Sequence, residues 1–492
     1  MKYILAIDQS TQGTKAMLVD SEGSFVLRRD IPHEQRISSR GWVGHNMKEI
    51  AENIIKVSRM VIEDSKIDRA DVAAVAVTNQ RETVGLWDRA TGEPVYDAVV
   101  WQCNRADELC RKIYTPEIAE DVLNKTGLHF SPYFSAPKAA WILENIPGAR
   151  ERAEKGELCF GTMDTWTIWT LTGGQSHKTD CSNASRTQVF NINTMAWDEE
   201  LCRLFKLPMS MLPEVCQSDA LFGETDLDGF LPRKVPVHSA IGDSNAVLFC
   251  HGCTDAGDAM CGYGTGSSVQ FNIGSKPVIS GKGVNTTVAW SRKGKPVYAL
   301  EGVVNYSGAV VTWLKDNAGL IMSPSETSEL AYSASSEDRT YMVPAFTGIG
   351  APHWKSDATA AYVGMTRVTG RAELVRAAIE SVAYQIADLV LASAEEVSTS
   401  VRELRVAGGP SKNPYMMQFQ SDILGCPVKV SEHEEMSGIG SAYICGESLG
   451  MFNAREVIEK QTGKVYLPLM SGEVRAEKLK GWQHALETVF SY

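Results

Sequence analysis

The chain has 492 residues, too many for a single hydrophobic core, so two domains are expected. Its 43% hydrophobic and 22% charged content is ordinary for a globular enzyme. A formal net charge of -12 counts against nucleic acid or anionic membrane as the main partner.

The opening apolar run is short and leads straight into Asp8, so no secretory leader is expected. No apolar run approaches membrane-spanning length. The 11 cysteines are odd in number and scattered, which suggests reduced thiols and a cytoplasmic protein. Cys250 and Cys253 flank His251 at metal-like spacing. They have no second compact pair, so small buried thiols are the better reading than zinc.

In chain order, residues 1–30 read as a β-meander. Tyr3 to Ile7 runs into Asp8, then a turn at Ser10-Thr11-Gln12-Gly13, and a return strand. Lys48 to Asp64 carries Ile50, Ile54, Val57 and Val61 at helical spacing. Val72 to Thr78 is a strand candidate ending in Asn79-Gln80-Arg81-Glu82, and α/β sheets place ligands at such strand ends. The bland alternative for Arg81-Glu82 is a solvated ion pair. Strands at Trp87-Asp88 and Ala98 to Gln102 flank a Thr91-Gly92-Glu93-Pro94 turn, and a loop from Tyr133 runs into a helix to Asn145. Asn183-Ala184-Ser185-Arg186-Thr187 follows Trp166 and Trp169, an aromatic and hydroxyl set able to line a polyol pocket, although core packing is the default.

The pattern recurs at the middle of the chain. Val235 to Ile241 is an apolar run ending in Gly242-Asp243, and Asn245 to His251 looks helical. Ala259 to Gly262 and Val269 to Ile273 then bracket Tyr263-Gly264-Thr265-Gly266-Ser267-Ser268. The chain thus presents two glycine/threonine turns, one per half, each able to aim backbone N–H groups at phosphate. Val310 to Leu314 forms a helix opened by small residues at Gly308, and Glu373 to Ala394 is the clearest helix. Leu404 to Ala407 leads through Gly408-Gly409-Pro410-Ser411-Lys412-Asn413 into a helix at Tyr415 to Leu424, a plausible nucleotide site. The expectation is a two-domain phosphotransferase with Asp243 between residues 1–243 and 244–492.

These segments resemble the FGGY carbohydrate kinases over nearly the whole length, with glycerol kinases the nearest branch. Asp8 to Lys15, Thr78 to Thr83, Val100 to Cys103, Pro132 to Ser135 and Ile241 to Asp243 carry the likeness in the first half. Tyr263 to Gly266, Pro344 to Pro352, Ala360 to Glu380 and Met417 to Asp422 carry it in the second. The resemblance implies an α/β fold of two actin-like (ribonuclease-H-like) domains with a catalytic cleft between them. It implies ATP and Mg2+ as cofactors and a small polyol or sugar as partner. Asp243 is then the general base, and Asp8 with Asp243 holds the metal. Arg81, Glu82, Trp101, Tyr133 and Ser244 line the acceptor pocket. Thr11, Gly264, Thr265, Gly266, Gly308, Gly409 and Asn413 contact the nucleotide. A homo-oligomer, dimer or tetramer, is expected.

Two departures bear on the acceptor. Glycerol kinases usually follow the catalytic aspartate with glutamine, where this chain has Ser244, and carry a bulky aromatic where it has Ser268. Both changes remove volume and add hydroxyls, so an acceptor longer than glycerol is expected, with glycerol itself the alternative. The competing class is an actin-like or chaperone-like ATPase without a small acceptor, which has no need of Arg81, Glu82, Trp101 and Tyr133 beside a carboxylate.

Overall fold

The structure, a computed structural model, describes residues 1–431 and 435–491. Two mixed β-sheets carry one topology twice. In the first, Tyr3–Gln9, Gly13–Asp20 and Phe25–Pro32 form the expected antiparallel meander. Val72–Asn79 adds parallel to Tyr3–Gln9, and Val235–Gly242 adds parallel to Val72–Asn79. Counting these strands along the chain, the sheet reads 3-2-1-4-5. In the second sheet Asp258–Tyr263 and Ser267–Gly274 form the hairpin, and Lys295–Val304 is the third strand. Glu403–Gly408 and Val428–Ser431 complete the order in parallel. This repeat is the actin-like arrangement, and it sets both glycine turns between the first and second strands of their sheets.

Burial follows from the two-residue side-chain period of a strand. On Tyr3–Gln9, Leu5 and Ile7 share a core with Ile50, Ile54 and Val57 of the helix Met47–Ser65. That helix starts where the Asn46 side chain accepts the Lys48 N–H at 3.0 Å. Ile4 and Ala6, on the opposite face, share a core with Ala246, Ile439 and Tyr443. The helix Met436–Ser448, late in the chain, therefore returns to cover the first sheet. Gly440 permits its close approach to a second helix on that face, Asp243–Cys250, because a Cβ there would lie 2.1 Å from the Ala246 carbonyl oxygen. In the second sheet Phe271 and Leu300 pack with Val375, Ile379, Val382 and Ile386 of the helix Arg371–Glu396. Among the described residues no helix is long and apolar enough to cross a membrane.

Two elements differ from expectation. The strand foreseen over Ala98 to Gln102 pairs only at Ala98–Val99, because Trp101 N donates to the Thr83 hydroxyl at 3.1 Å and the chain turns out of the ladder. The double glycine does not open the helix Pro414–Leu424 directly. A 3-10 turn, Gly409–Lys412, intervenes, and Asn413 caps the helix.

Candidate active site

Three parallel strands of the first sheet end side by side. Asp8 pairs in register with Thr78, and Ile241 pairs with Thr78 from the other side. Arg81 and Glu82 therefore emerge beside Asp8, and Asp243 begins the helix Asp243–Cys250 just beyond Gly242. A cavity of about 950 Å³ opens here between the two sheets. Thr11, Arg81, Glu82, Trp101, Tyr133, Asp243 and Ser244 line it from the first sheet's side, and Gly264, Gly266 and Ser268 from the second's.

Asp243 Oδ1 accepts the Ser244 N–H at 2.6 Å and lies 3.3 Å from Arg81 Nε. Its Oδ2 accepts no hydrogen bond from the described residues. Burial pushes its carboxyl up to about 6, with Arg81 pulling down and Asp8 pushing further up. Asp8 is 3% exposed. Its Oδ2 accepts from the Ser437 hydroxyl at 2.7 Å, while Oδ1 is buried without a partner among the described residues. Burial raises Asp8 as well, against the pull of Lys15. A buried carboxylate, Asp8, and a partly exposed one, Asp243, press on each other and form a local excess of negative charge.

Arg81 and Glu82 are no solvated pair, being 6% and 2% exposed. Their main partners lie elsewhere. Arg81 grips Glu301 through two bonds, Nη1 to Oε2 at 2.7 Å and Nη2 to Oε1 at 2.9 Å. Arg186 Nε donates to Glu82 Oε1 at 2.5 Å. Glu82 sits at φ 61, a left-handed conformation uncommon outside glycine, with its carbonyl accepting from the Ser135 hydroxyl at 2.9 Å.

The aromatic wall is braced from below. Trp101 Nε1 donates to Thr11 Oγ1 at 3.0 Å, and the Trp101 and Tyr133 rings meet edge to face. Thr11, expected to face nucleotide, thus links the first turn to this wall. Lys138 is fully buried and donates to the Pro132 carbonyl at 2.9 Å and to the Tyr133 carbonyl, holding the loop that carries Tyr133. Burial brings its ammonium down to about 7.

The second turn is stapled to a helix. Gly308 N donates to Gly264 O at 2.9 Å, and Ser307 and Ala309 N–H groups both bond to Thr265 O. These bonds occupy the backbone donors at the start of Gly308–Asp316. Thr265, Gly308, Gly409 and Asn413 do not line the cavity. Asn413 accepts the Met416 N–H at 3.0 Å and donates to Thr327 Oγ1 at 2.9 Å, so its side chain caps a helix. Cys250, Cys253 and Cys261 are buried free thiols, and burial raises all three well above the ordinary thiol range.

Sequence reasoning missed Glu301 and Ser437, and it placed Arg186 only within a longer polar segment. The available signal for Glu301 was a carboxylate inside an otherwise apolar strand, Tyr298 to Val304.

The profile of the FGGY family of carbohydrate kinases, N-terminal domain, matches residues 3–250, and that of its C-terminal domain matches residues 259–448. Glycerol kinase 1 of Thermotoga maritima is 44% identical over 491 residues, covering 99% of this chain and 100% of that protein. A glycerol kinase of Listeria monocytogenes is 41% identical over 493 residues, covering 100% of this chain and 99% of that one. Among solved structures, Plasmodium falciparum glycerol kinase with ADP superposes with a TM-score of 0.94 at 35% identity, covering 99% of this chain and 98% of that one. A xylulose kinase from Lactobacillus acidophilus, at a TM-score of 0.86 and 21% identity over 99% and 98% of the two chains, shares the fold.

Proposed function

Because the chain belongs to the FGGY family of carbohydrate kinases, we propose that it transfers the terminal phosphoryl group of ATP to a hydroxyl of glycerol. The family makes it a phosphotransferase with an alcohol group as acceptor. The observation that carries the reading is Asp243, a partly freed carboxylate facing a cavity between two sheets with Arg81, Trp101 and Tyr133 around it. ADP in the solved relative supports ATP as donor.

The longer acceptor expected from Ser244 and Ser268 gives way to glycerol. Relatives 41% and 44% identical over their whole lengths are named glycerol kinases. There is also a physical reason. The Ser244 hydroxyl accepts from Arg81 Nη2 at 3.0 Å and reaches Asp243 Oδ1 at 3.3 Å, so it is engaged by the protein.

In this reading residues 1–243 bind the acceptor and residues 244–492 the nucleotide. Asp243 takes the proton from the acceptor hydroxyl as its oxygen bonds to the γ-phosphorus and the bond to the ADP oxygen breaks. Arg81, Glu82, Trp101 and Tyr133 orient the acceptor. Gly264, Thr265 and Gly266 approach the phosphates from the opposite side, and Gly308, Gly409 and Asn413 shape the nucleotide's far wall. The orphaned Asp8 Oδ1 and its electrostatic conflict with Asp243 fit a magnesium ion, which is usually held by one or two carboxylates plus phosphates and water. When bound, that ion neutralises charge on the transferring phosphoryl group.

An acceptor panel in an ATP-coupled assay tests the reading. Glycerol should give the highest kcat/KM. A four- or five-carbon polyol or a ketose outperforming glycerol would restore the longer acceptor, and ATP turnover indifferent to every acceptor would favour an actin-like ATPase.

A further inference from the structure

Arg81 belongs to the first sheet's side of the cavity and Glu301 to the strand Lys295–Val304 of the second sheet. Their two hydrogen bonds bridge the halves at the floor of the cavity. Glu301 also lies 3.3 Å from Arg186 Nη2 and accepts from Gln270 Nε2 at 2.8 Å. It is 3% exposed. Burial alone would raise its carboxyl, but Arg186 and Arg81 override that and hold it at about 2. The carboxylate is therefore permanently charged, and three donors from two halves of the molecule fix its position.

Its effect is on Arg81. The guanidinium has five N–H bonds. Two go to Glu301, one to Asn245 Oδ1 at 3.2 Å and one to Ser244 Oγ, while Nε forms an ion pair with Asp243 Oδ1 at 3.3 Å. Glu301 lines the same cavity as Ser244 and Asp243, but it is almost fully buried, whereas the Asp243 side chain is partly exposed to the cavity. With Glu301 neutral, the remaining anchor on that side is the uncharged Asn245 Oδ1, and a second N–H is freer to close on the base. Arg186 meanwhile keeps Glu82 as its sole carboxylate partner.

Resting on the proposed kinase reading, we propose that Glu301 is a positioning residue. It locks Arg81 in register for the acceptor hydroxyl and keeps the Asp243 carboxylate open, but only while the two halves are closed on each other. A purely structural ion pair would contribute to stability without regard to the substrate. A positioning residue separates the two kinetic constants and acts only through Arg81.

The experiment is a double-mutant cycle with Glu301→Gln and Arg81→Met, followed by initial rates with glycerol and ATP. Glu301→Gln should raise the glycerol KM about 10- to 100-fold, the range for a charged hydrogen bond, and leave the ATP KM within about twofold. In the Arg81→Met background the same substitution should add nothing to the glycerol KM. Glu301→Asp should recover part of the loss. Gln270→Met keeps the charge and removes one of several hydrogen bonds that hold it, so it should raise the glycerol KM about threefold even if Glu301→Gln fails to fold. Multiplicative effects of the two cycle variants, or glycerol and ATP KM rising together, would overturn the proposal. So would an unchanged glycerol KM in Gln270→Met when Glu301→Gln does not fold. Wild-type protein silent with every polyol would overturn the kinase reading as well, whereas an active wild type with independent variants overturns this inference alone.

Discussion

Gly266→Ala probes the second turn without altering any charge. Gly266 has no positive φ, so alanine suits its backbone, and only space is at issue. A Cβ at this position would lie 2.6 Å from Val304 O and 3.1 Å from Asn305 O, both backbone atoms in the connection to the helix Gly308–Asp316. Ordinary contact begins near 3.4 Å, so turn or connection must move by about 0.8 Å. The three bonds from residues 307–309 to the turn carry the displacement onward, because neither partner can shift alone. A misplacement of about 1 Å costs on the order of 10²-fold in a positioned reaction, or about 2.7 kcal/mol. Overpacking separately lowers stability by about 1–3 kcal/mol. Steady-state kinetics at varied ATP, beside a thermal melt, should therefore show kcat/KM for ATP down about 100-fold in a protein that still folds. Wild-type kcat/KM for ATP with a lowered melting temperature would refute the idea that this turn positions phosphate.

Gly409 offers the converse case, since a Cβ built there meets no atom of the described residues within 4 Å beyond its own local backbone. Gly409→Ala should keep its stability within about 0.5 kcal/mol yet raise the ATP KM, and an unchanged KM would remove Gly409 from the nucleotide wall. His45 gives a pH test. Burial, helped by His33, lowers its imidazole to about 3, and among the described residues the ring bonds only to neutral Gln35 and Gln80. Below the unfolded value near 6.5 the unfolded chain gains a proton that the folded chain refuses, so acid removes stability. Between pH 7 and 5 this one site costs about 2 kcal/mol. Asp164, raised by burial to about 6, acts with the opposite sign, but it is common to wild type and variant. Denaturant midpoints at the two pH values should thus fall less for His45→Gln than for wild type by that amount; equal falls would contradict the burial argument.

What could be read from the sequence was whatever a local pattern encodes. The meander, the helix Met47–Ser65 and the two glycine turns follow from side-chain period and turn chemistry, and they lie where expected. Asp243 was legible because a lone acid ends an apolar run directly after glycine. Glu301 was not, because its partner Arg81 lies 220 positions away and no strand pattern names a partner across two sheets. The same limit bears on the acceptor expected from Ser244. Ser244 showed that a long side chain was missing, but not that Arg81 had already taken the hydroxyl left behind. Asn413 was placed on the nucleotide from its glycine-rich neighbourhood, and that neighbourhood did not show that its side chain also caps the helix Pro414–Leu424. Helix Met436–Ser448 was equally hidden, since only the fold reveals that it closes the far face of the first sheet.

The account depends most on Asp243 as proton acceptor. Asparagine matches its shape, retains an oxygen for the Ser244 N–H, and cannot take a proton at neutral pH. Single-turnover phosphoryl transfer by Asp243→Asn, with glycerol and Mg–ATP both saturating, should be slower than wild type by about 10²- to 10⁴-fold. A rate within a few-fold of wild type would contradict the assignment.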